Sequence, residues 1–162
     1  MNDYDRILDS PTPLYLGRFP TEPSHLNVAC FVNLCGELPH GIPNGIATYV
    51  LPLKDTLDPI LRPKRAAVEQ FLATVHEHVK VAPSYWHCHA GLNRAGFALS
   101  AYLHLYHDFK ISDAIAMLRE KRSEYVLCNS NFEGFLREWY GDADEKTFTL
   151  TDEDVYYRRR NG

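Results

Sequence analysis

The chain has 162 residues, of which 45% are hydrophobic and 23% charged, values that suit one globular domain with a self-sufficient core. A formal net charge of −4 argues against a surface built generally for nucleic acid or anionic membrane, although Arg62, Lys64 and Arg65 can form a local basic rim. No stretch is apolar and long enough to span a membrane, and Met1-Asn2-Asp3-Tyr4-Asp5 lacks the form of a signal peptide.

Residues 1–13 are polar, contain Pro11 and Pro13, and are expected to form a loose arm before a domain over residues 14–140. Short β-type runs follow at Leu14–Leu16, Val28–Leu34 and Ile46–Leu51, with the turn-rich Pro39-His40-Gly41-Ile42-Pro43-Asn44-Gly45 between the last two. Asp58-Pro59 or Arg62-Pro63 opens a helix whose apolar positions Val68, Phe71, Leu72, Val75 and Val79 recur at helical spacing. Ala82–His87 reads as a strand feeding a tight loop. From about Arg94 to His107 a helix is apolar nearly all round, which marks it as central and buried. Ser112 is expected to cap a helix with Ile115, Met117 and Leu118 inward. Asn129 or Asn131 caps a last one carrying Phe132, Phe135, Leu136 and Trp139. From Gly141 the chain is polar to its end at Arg158-Arg159-Arg160-Asn161-Gly162, a solvated tail over residues 141–162. Strands followed by helices predict an α/β domain with a short central sheet.

The chemistry concentrates in His87-Cys88-His89-Ala90-Gly91-Leu92-Asn93-Arg94. A thiol at a strand end, a glycine-containing loop and a helix starting at arginine make an anion trap. Loop amides can point inward as a nest, and the helix N-terminus adds about half a positive charge. Such a field favours thiolate over thiol at Cys88, and Arg94 can hold two phosphate oxygens with its planar fork. The combination reads as phosphate-monoester hydrolysis through a cysteinyl-phosphate intermediate, with phosphate bound by His89, Ala90, Gly91, Leu92, Asn93 and Arg94. The leaving oxygen needs a proton, and Asp55 and Asp58 both lie upstream as candidate acids. Asp58, before Pro59, has a ready structural role as a helix cap. The run His76-Glu77-His78 lacks metal-ligand spacing, because adjacent-but-one residues face different sides of a helix. Cys30 and Cys128 read as core or loop thiols. Four cysteines, three of them beside or inside apolar runs, suit a reducing compartment, so the expected location is cytoplasmic.

His87-Cys88, five residues and Arg94 resemble the signature of the protein tyrosine phosphatase superfamily in its short, dual-specificity branch. Leu14-Tyr15-Leu16-Gly17 and Val32-Asn33-Leu34-Cys35 look like that family's first two strands. Leu51-Pro52-Leu53-Lys54-Asp55 looks like its acid loop, so the resemblance spans residues 14–140. It implies a single-domain phosphatase fold with the active loop between a strand and a central helix. It further implies Cys88, Arg94 and Asp55 as catalytic residues, no cofactor and no metal, and a phosphorylated protein as substrate, with phosphotyrosine and phosphoserine/threonine both accepted. A monomer without nucleic-acid or membrane partners is the default. His87 is expected to position the loop, and Glu37 to pair with the loop arginine as a glutamate does in related phosphatases. Cys35 is a possible redox partner for Cys88, since some lipid phosphatases of the superfamily place a cysteine similarly. Ala95 is a departure: many members carry Ser or Thr there, whose hydroxyl stabilises the departing thiolate. The liver-regeneration-type phosphatases share the alanine, so activity is still expected, with a slower second step. Rival readings within the superfamily are a phosphoinositide phosphatase, which typically has lysines at the positions of His89 and Leu92, and an RNA 5′-triphosphatase, suggested by Asn93-Arg94. A weakly catalytic phosphoprotein-binding module is the rival from another class.

Overall fold

The computed structural model describes residues 1–141. A five-stranded sheet has the order β1-β2-β5-β3-β4, formed by Tyr4–Leu8 (β1), Leu14–Gly17 (β2), Cys30–Asn33 (β3), Ala47–Val50 (β4) and Ser84–His87 (β5). The helices are Arg65–Val79 (α1), Arg94–His107 (α2), Ile111–Lys121 (α3) and Ser130–Tyr140 (α4). β5 runs parallel to β2 on one side and to β3 on the other, with Gly17 and Asn33 both in register with His87. The strand that ends at the thiol is therefore central, and the chain leaving each neighbouring strand emerges at the same edge.

Alternation sorts the sheet's two faces. Leu14, Leu16, Cys30, Val32 and Trp86 share one continuous core with all four helices. Phe31 and Tyr85 point the other way and pack with Val28, Tyr15, Leu26, Ile42 and Ile46, residues largely of loops. The apolar helix α2 is central: Ala95 to Leu103 are all buried, and it packs against α1, α3, α4, β5 and β2. Its amphipathic neighbours contribute Val68, Leu72, Val75 and Val79 from α1, and Ile111, Ala114, Ile115 and Leu118 from α3.

Three local expectations need correction. Tyr4–Leu8 is not a loose arm but an edge strand, antiparallel to β2, with Ile7 fully buried. Tyr4 and Arg6 lie on its exposed positions, while Asp5 is half-buried. Ser112 does not cap α3, which begins at Ile111 with Lys110 as the cap residue. Of the two expected openings of α1, Asp58-Pro59 starts a short 3₁₀ turn, Pro59–Leu61, and it is Arg62-Pro63 that leads into the helix, which begins at Arg65 after the cap residue Lys64. Asn129 does cap α4, its side chain accepting from the Asn131 amide at 3.2 Å. The polar tail expected over residues 141–162 lies outside the described residues beyond Gly141.

Candidate active site

The loop between β5 and α2 is gripped through its carbonyls: those of His89, Ala90, Gly91 and Leu92 meet donors on distant segments, that of Asn93 meets α2 itself, and that of Cys88 faces the ring before it. The Cys88 carbonyl faces His87 Nδ1 at 3.4 Å. That of His89 accepts from the Phe19 amide at 2.9 Å, Leu92 from the Leu127 amide at 3.1 Å, and Asn93 from the Phe97 amide at 2.8 Å. Those of Ala90 and Gly91 accept from the guanidinium of Arg122, at 2.9 and 3.5 Å. In a planar trans peptide the N–H points opposite to the C=O, so carbonyls drawn outward turn the following amides, His89 to Arg94, inward. The result is a concave set of donors at a helix N-terminus, an arrangement whose geometry and charge suit an oxyanion.

Glycine is required at one point of this loop. Gly91 has φ +71°, and a Cβ there would come within 2.3 Å of the Gly17 carbonyl oxygen. Gly17 answers from β2, where a Cβ would strike the Tyr85 hydroxyl, itself donating to the Arg18 carbonyl at 2.7 Å. Two backbones thus touch where no side chain fits.

Cys88 is 2% exposed at the base of the loop. Arg94 opens α2, half-buried, with Nη1 donating to the Leu53 carbonyl at 3.4 Å. That contact ties the arginine to the strand-following segment Leu51–Asp55, whose Leu53 amide in turn donates to the Leu34 carbonyl at 3.0 Å. Asp55 is brought to the same place by a pair of buried asparagines. Asn93 Nδ2 donates to Asp55 Oδ2 at 3.2 Å, and Asn129 Nδ2 donates to Oδ1 at 3.0 Å. Asn129 also donates to the Thr56 carbonyl at 2.9 Å, while its own amide donates to Asn93 Oδ1 at 2.9 Å. Asp58 serves a different purpose, since its carboxylate accepts from the Ile60 amide at 3.0 Å and caps the 3₁₀ turn. Of the two candidate acids, Asp55 is the one joined to the loop.

His87 is fully buried, ringed edge-on by Phe19 and Phe31. Burial pushes its pKa down to about 4, so the ring is neutral at pH 7. A carbonyl can only accept, so the neutral ring's proton belongs on Nδ1, toward Cys88 O, and Nε2 has no partner among the described residues. His89 stands at the rim, stacked on Phe19 with ring centroids 5.9 Å apart.

Glu37 does not pair with the loop arginine as expected. Its carboxylate is 70% exposed and lies 3.5 Å from His89 Nε2, and no Arg94–Glu37 ion pair forms among the described residues. The cause is the turn after β3. Asn33 accepts the amides of Cys35 and Gly36 at 3.0 and 3.1 Å and donates to the Glu37 carbonyl at 2.7 Å, which aims the Glu37 side chain at the rim. Cys35 sits inside this turn, within electrostatic reach of Cys88 and Arg94. Burial raises its pKa, so it remains a thiol at neutral pH.

Sequence reasoning missed Arg122, Asp5, Asn129 and the backbone of Phe19. Each acts from a distant segment, Asp5 through Arg122 and the others on the loop directly, and an arginine at a helix end or an asparagine at a cap has an adequate local explanation that hides a second one.

A thiol at the floor of inward amides, an arginine fork beside it and a carboxylate on an adjoining loop define the arrangement of a cysteine-based phosphatase. Residues 14–142 match the family model for the dual specificity phosphatase catalytic domain, and the chain belongs to that family. The protein tyrosine phosphatase PRL-1 of Leishmania major is 32% identical over 124 residues, which cover 72% of this chain and 71% of that protein. The crystal structure of human DUSP28 matches with a TM-score of 0.68 at 20% identity, covering 86% of this chain and 94% of that one. PTPMT1 in complex with PI(5)P matches with a TM-score of 0.68 at 18% identity, covering 98% and 99%. The two crystal structures share the fold of this chain.

Two variants test the geometry. Asn129→Ala takes one donor from Asp55 and one from the Thr56 carbonyl in a buried setting, and should cost about 1–3 kcal/mol in urea unfolding. A loss below about 0.5 kcal/mol, the size of an ordinary surface substitution, would rule out the asparagine pair as the tie between these loops. The other concerns pH. The His87 pKa is about 4 in the fold against 6.5 unfolded, so the unfolded chain binds more protons between those values. This stabilising share is complete above pH 6.5 and lost as the pH falls toward 4, by about 3 kcal/mol. His87→Gln should flatten that part of the melting-temperature profile; an unchanged acid slope would place its origin elsewhere.

Proposed function

We propose that the chain hydrolyses phosphate monoesters on proteins, phosphotyrosine and phosphoserine/threonine alike, as a cysteine-dependent phosphatase without a cofactor. The outward capture of the carbonyls from Cys88 to Asn93 carries this reading. It supplies a preorganised anion site directly above a thiol, where charge develops on the equatorial oxygens. Cys88 as thiolate attacks phosphorus, and the ester oxygen leaves with the proton of Asp55. Arg94 grips two phosphoryl oxygens and relinquishes only a 3.4 Å contact to Leu53. Asp55, now a carboxylate, takes a proton from water, whose oxygen attacks the phosphocysteine and releases phosphate and thiolate. The cytoplasm is the proposed site of action, in keeping with four cysteines of which none is in a disulfide. A monomer acting on protein substrates, without nucleic-acid or membrane partners, completes the proposal.

The PI(5)P bound to PTPMT1 makes a phosphoinositide the second reading. Against it here stand His89 and Leu92 at the loop positions where the resemblance leads one to expect lysines, and an exposed Glu37 carboxylate at the rim, which would repel further phosphates.

A panel of phosphopeptides, phosphoinositides and 5′-triphosphorylated RNA, compared by kcat/KM, decides the substrate class. Preference for phosphopeptides is expected, and a tenfold or greater preference for either rival would overturn it. In the same assays Cys88→Ser should abolish turnover while retaining phosphate binding. Arg94→Lys should be nearly as damaging, because a point charge cannot form the fork. Asp55→Asn should lower turnover by about 10²–10⁴-fold, less for aryl esters with good leaving groups. If Asp58→Asn shows that pattern instead, the acid is misassigned. Rapid mixing should reveal a burst of product followed by slow turnover, and Ala95→Ser should raise only the slow phase, by roughly ten- to a hundredfold. A parent without a burst would mean that the first step limits and that Ala95 is kinetically silent.

Cys35 is proposed as a resolving thiol. Peroxide would oxidise Cys88 to the sulfenic acid, which condenses with the Cys35 thiol to give a disulfide and water. Dithiothreitol should restore activity after mild peroxide in the parent but much less in Cys35→Ser. Equal recovery, with Cys35 still free by peptide mapping, would remove the switch.

A further inference from the structure

We infer that Arg122 is a positioning residue for the phosphate-binding loop and that Asp5 of β1 holds it in place, which makes the amino-terminal strand a working part of the site. The inference rests on the phosphatase reading above, and β1 lies outside the residues 14–142 that match the family model.

The loop's carbonyls fall into two groups. Those of His89, Leu92 and Asn93 are held by backbone amides, and that of Cys88 faces the ring of its own neighbour. The carbonyls of Ala90 and Gly91, at the turn of the loop, are held by Arg122. The guanidinium suits this place because its donors diverge in a rigid plane. Nη2 and Nε take two successive carbonyls from one side, leaving Nη1 for the other. A lysine has no such fork. By peptide planarity the two carbonyls govern the amides of Gly91 and Leu92, which turn into the cradle.

The other face of the guanidinium belongs to β1. Nη1 donates to Asp5 Oδ2 at 2.9 Å and to the Asn2 carbonyl. The Arg122 side chain is completely buried and that of Asp5 is 14% exposed. An arginine withdrawn from water this far is tolerated only with its charge paired and its donors used. Asp5 supplies the pairing, and the strand supplies Asp5. Its backbone is fixed opposite Leu16 in the antiparallel register, one residue before Gly17, whose carbonyl bounds the space beside Gly91. The same edge strand therefore sets the carboxylate that orients Arg122 and abuts the wall against which the loop packs.

A pin that merely fastened β1 to α3 would affect stability and nothing else. A positioning role predicts a change in oxyanion affinity at temperatures where the variants remain folded. The full-length chain is used, with Arg122→Lys, Asp5→Asn and Asp5→Glu. For each, the dissociation constant of inorganic phosphate, kcat and KM for an aryl phosphate, and the melting temperature are measured.

Arg122→Lys should weaken phosphate binding and lower kcat/KM by roughly ten- to a hundredfold, the loss of about one hydrogen bond to a charged group. Asp5→Asn should move both quantities the same way by a smaller factor, and Asp5→Glu should recover much of the loss. Should Arg122→Lys fail to fold, the Asp5 pair carries the test unaided. A lowered melting temperature with phosphate affinity and kcat/KM both within twofold of the parent overturns the inference and leaves Arg122 a structural pin. A parent chain that neither binds phosphate nor hydrolyses the ester overturns the phosphatase reading itself, and this inference falls with it.

Discussion

The planarity of the peptide unit makes the site possible. A loop cannot aim its amides inward unless its carbonyls find acceptable partners outward, because a buried carbonyl left without a donor costs about 1–3 kcal/mol. The fold is arranged to meet that demand. Central placement of β5 lets the chain leaving β2 deliver the Phe19 amide on one flank, while the chain leaving β3 supports the acid segment on the other. Helix α2 closes the far end with the Phe97 amide, and the segment after α3 returns to bring Arg122 and Leu127. Leu127 has φ +60°, uncommon for a residue with a side chain. In that conformation its amide meets the Leu92 carbonyl while its side chain packs beside Gly96. A local strain is thus held by contacts on both sides, as is common near functional sites.

The asparagine pair imposes a second constraint, on the Asp55 carboxylate rather than on the loop amides. Asn93 is 5% exposed and Asn129 is fully buried, so their amides must be spent within the protein. Each uses both ends: Asn93 accepts from the Asn129 amide and donates to Asp55, while Asn129 caps α4 and donates to Asp55 and Thr56. One cluster therefore fixes the first residue before α2, the cap of α4 and the carboxylate of Asp55 relative to one another. Burial makes the cluster specific, since a shifted loop would strand several polar groups at once.

How much of this was legible in the sequence depends on how far apart the interacting residues lie. Cys88 to Arg94 is contiguous, and the helix behind it is apolar nearly all round, so the loop and its central helix could be read directly. Periodicity located α1 and the apolar positions of α4 for the same reason. Tyr4–Leu8 was misread because an edge strand with one buried position, Ile7, offers too little alternation to distinguish it from a polar arm. Ser112 was misread as a cap because Ile111 already has a helical backbone and a buried side chain. Arg122 and Asp5 are 117 residues apart, and Asn93 and Asn129 are 36 apart. Nothing local distinguishes either pair from ordinary surface residues. Glu37 failed for the opposite reason: its neighbourhood in sequence suggested a partner, but the Asn33 turn rotates it to the rim.

The four cysteines stand in different relations to the same constraint. None is in a disulfide. Cys30 is buried among hydrocarbon in β3, where desolvation pushes its pKa up to about 12 and keeps it inert. Cys35 stands one turn beyond that strand, closer to Arg94, yet burial still raises its pKa more than the Glu37 carbonyl and the arginine lower it. Cys128, also buried, has its sulfur 3.6 Å from Asn93 Oδ1, an acceptor that suits a thiol and opposes a thiolate. Cys88 differs in standing at the start of the loop whose amides turn inward, with a helix N-terminus ahead of it. The overall charge of −4 does not contradict an anion site here. At physiological salt, exposed charges are screened over about 8 Å, whereas oriented amides act at contact. What distinguishes the surroundings of Cys88 is therefore the direction of a few peptide planes, and that direction is set by the residues that take their carbonyls.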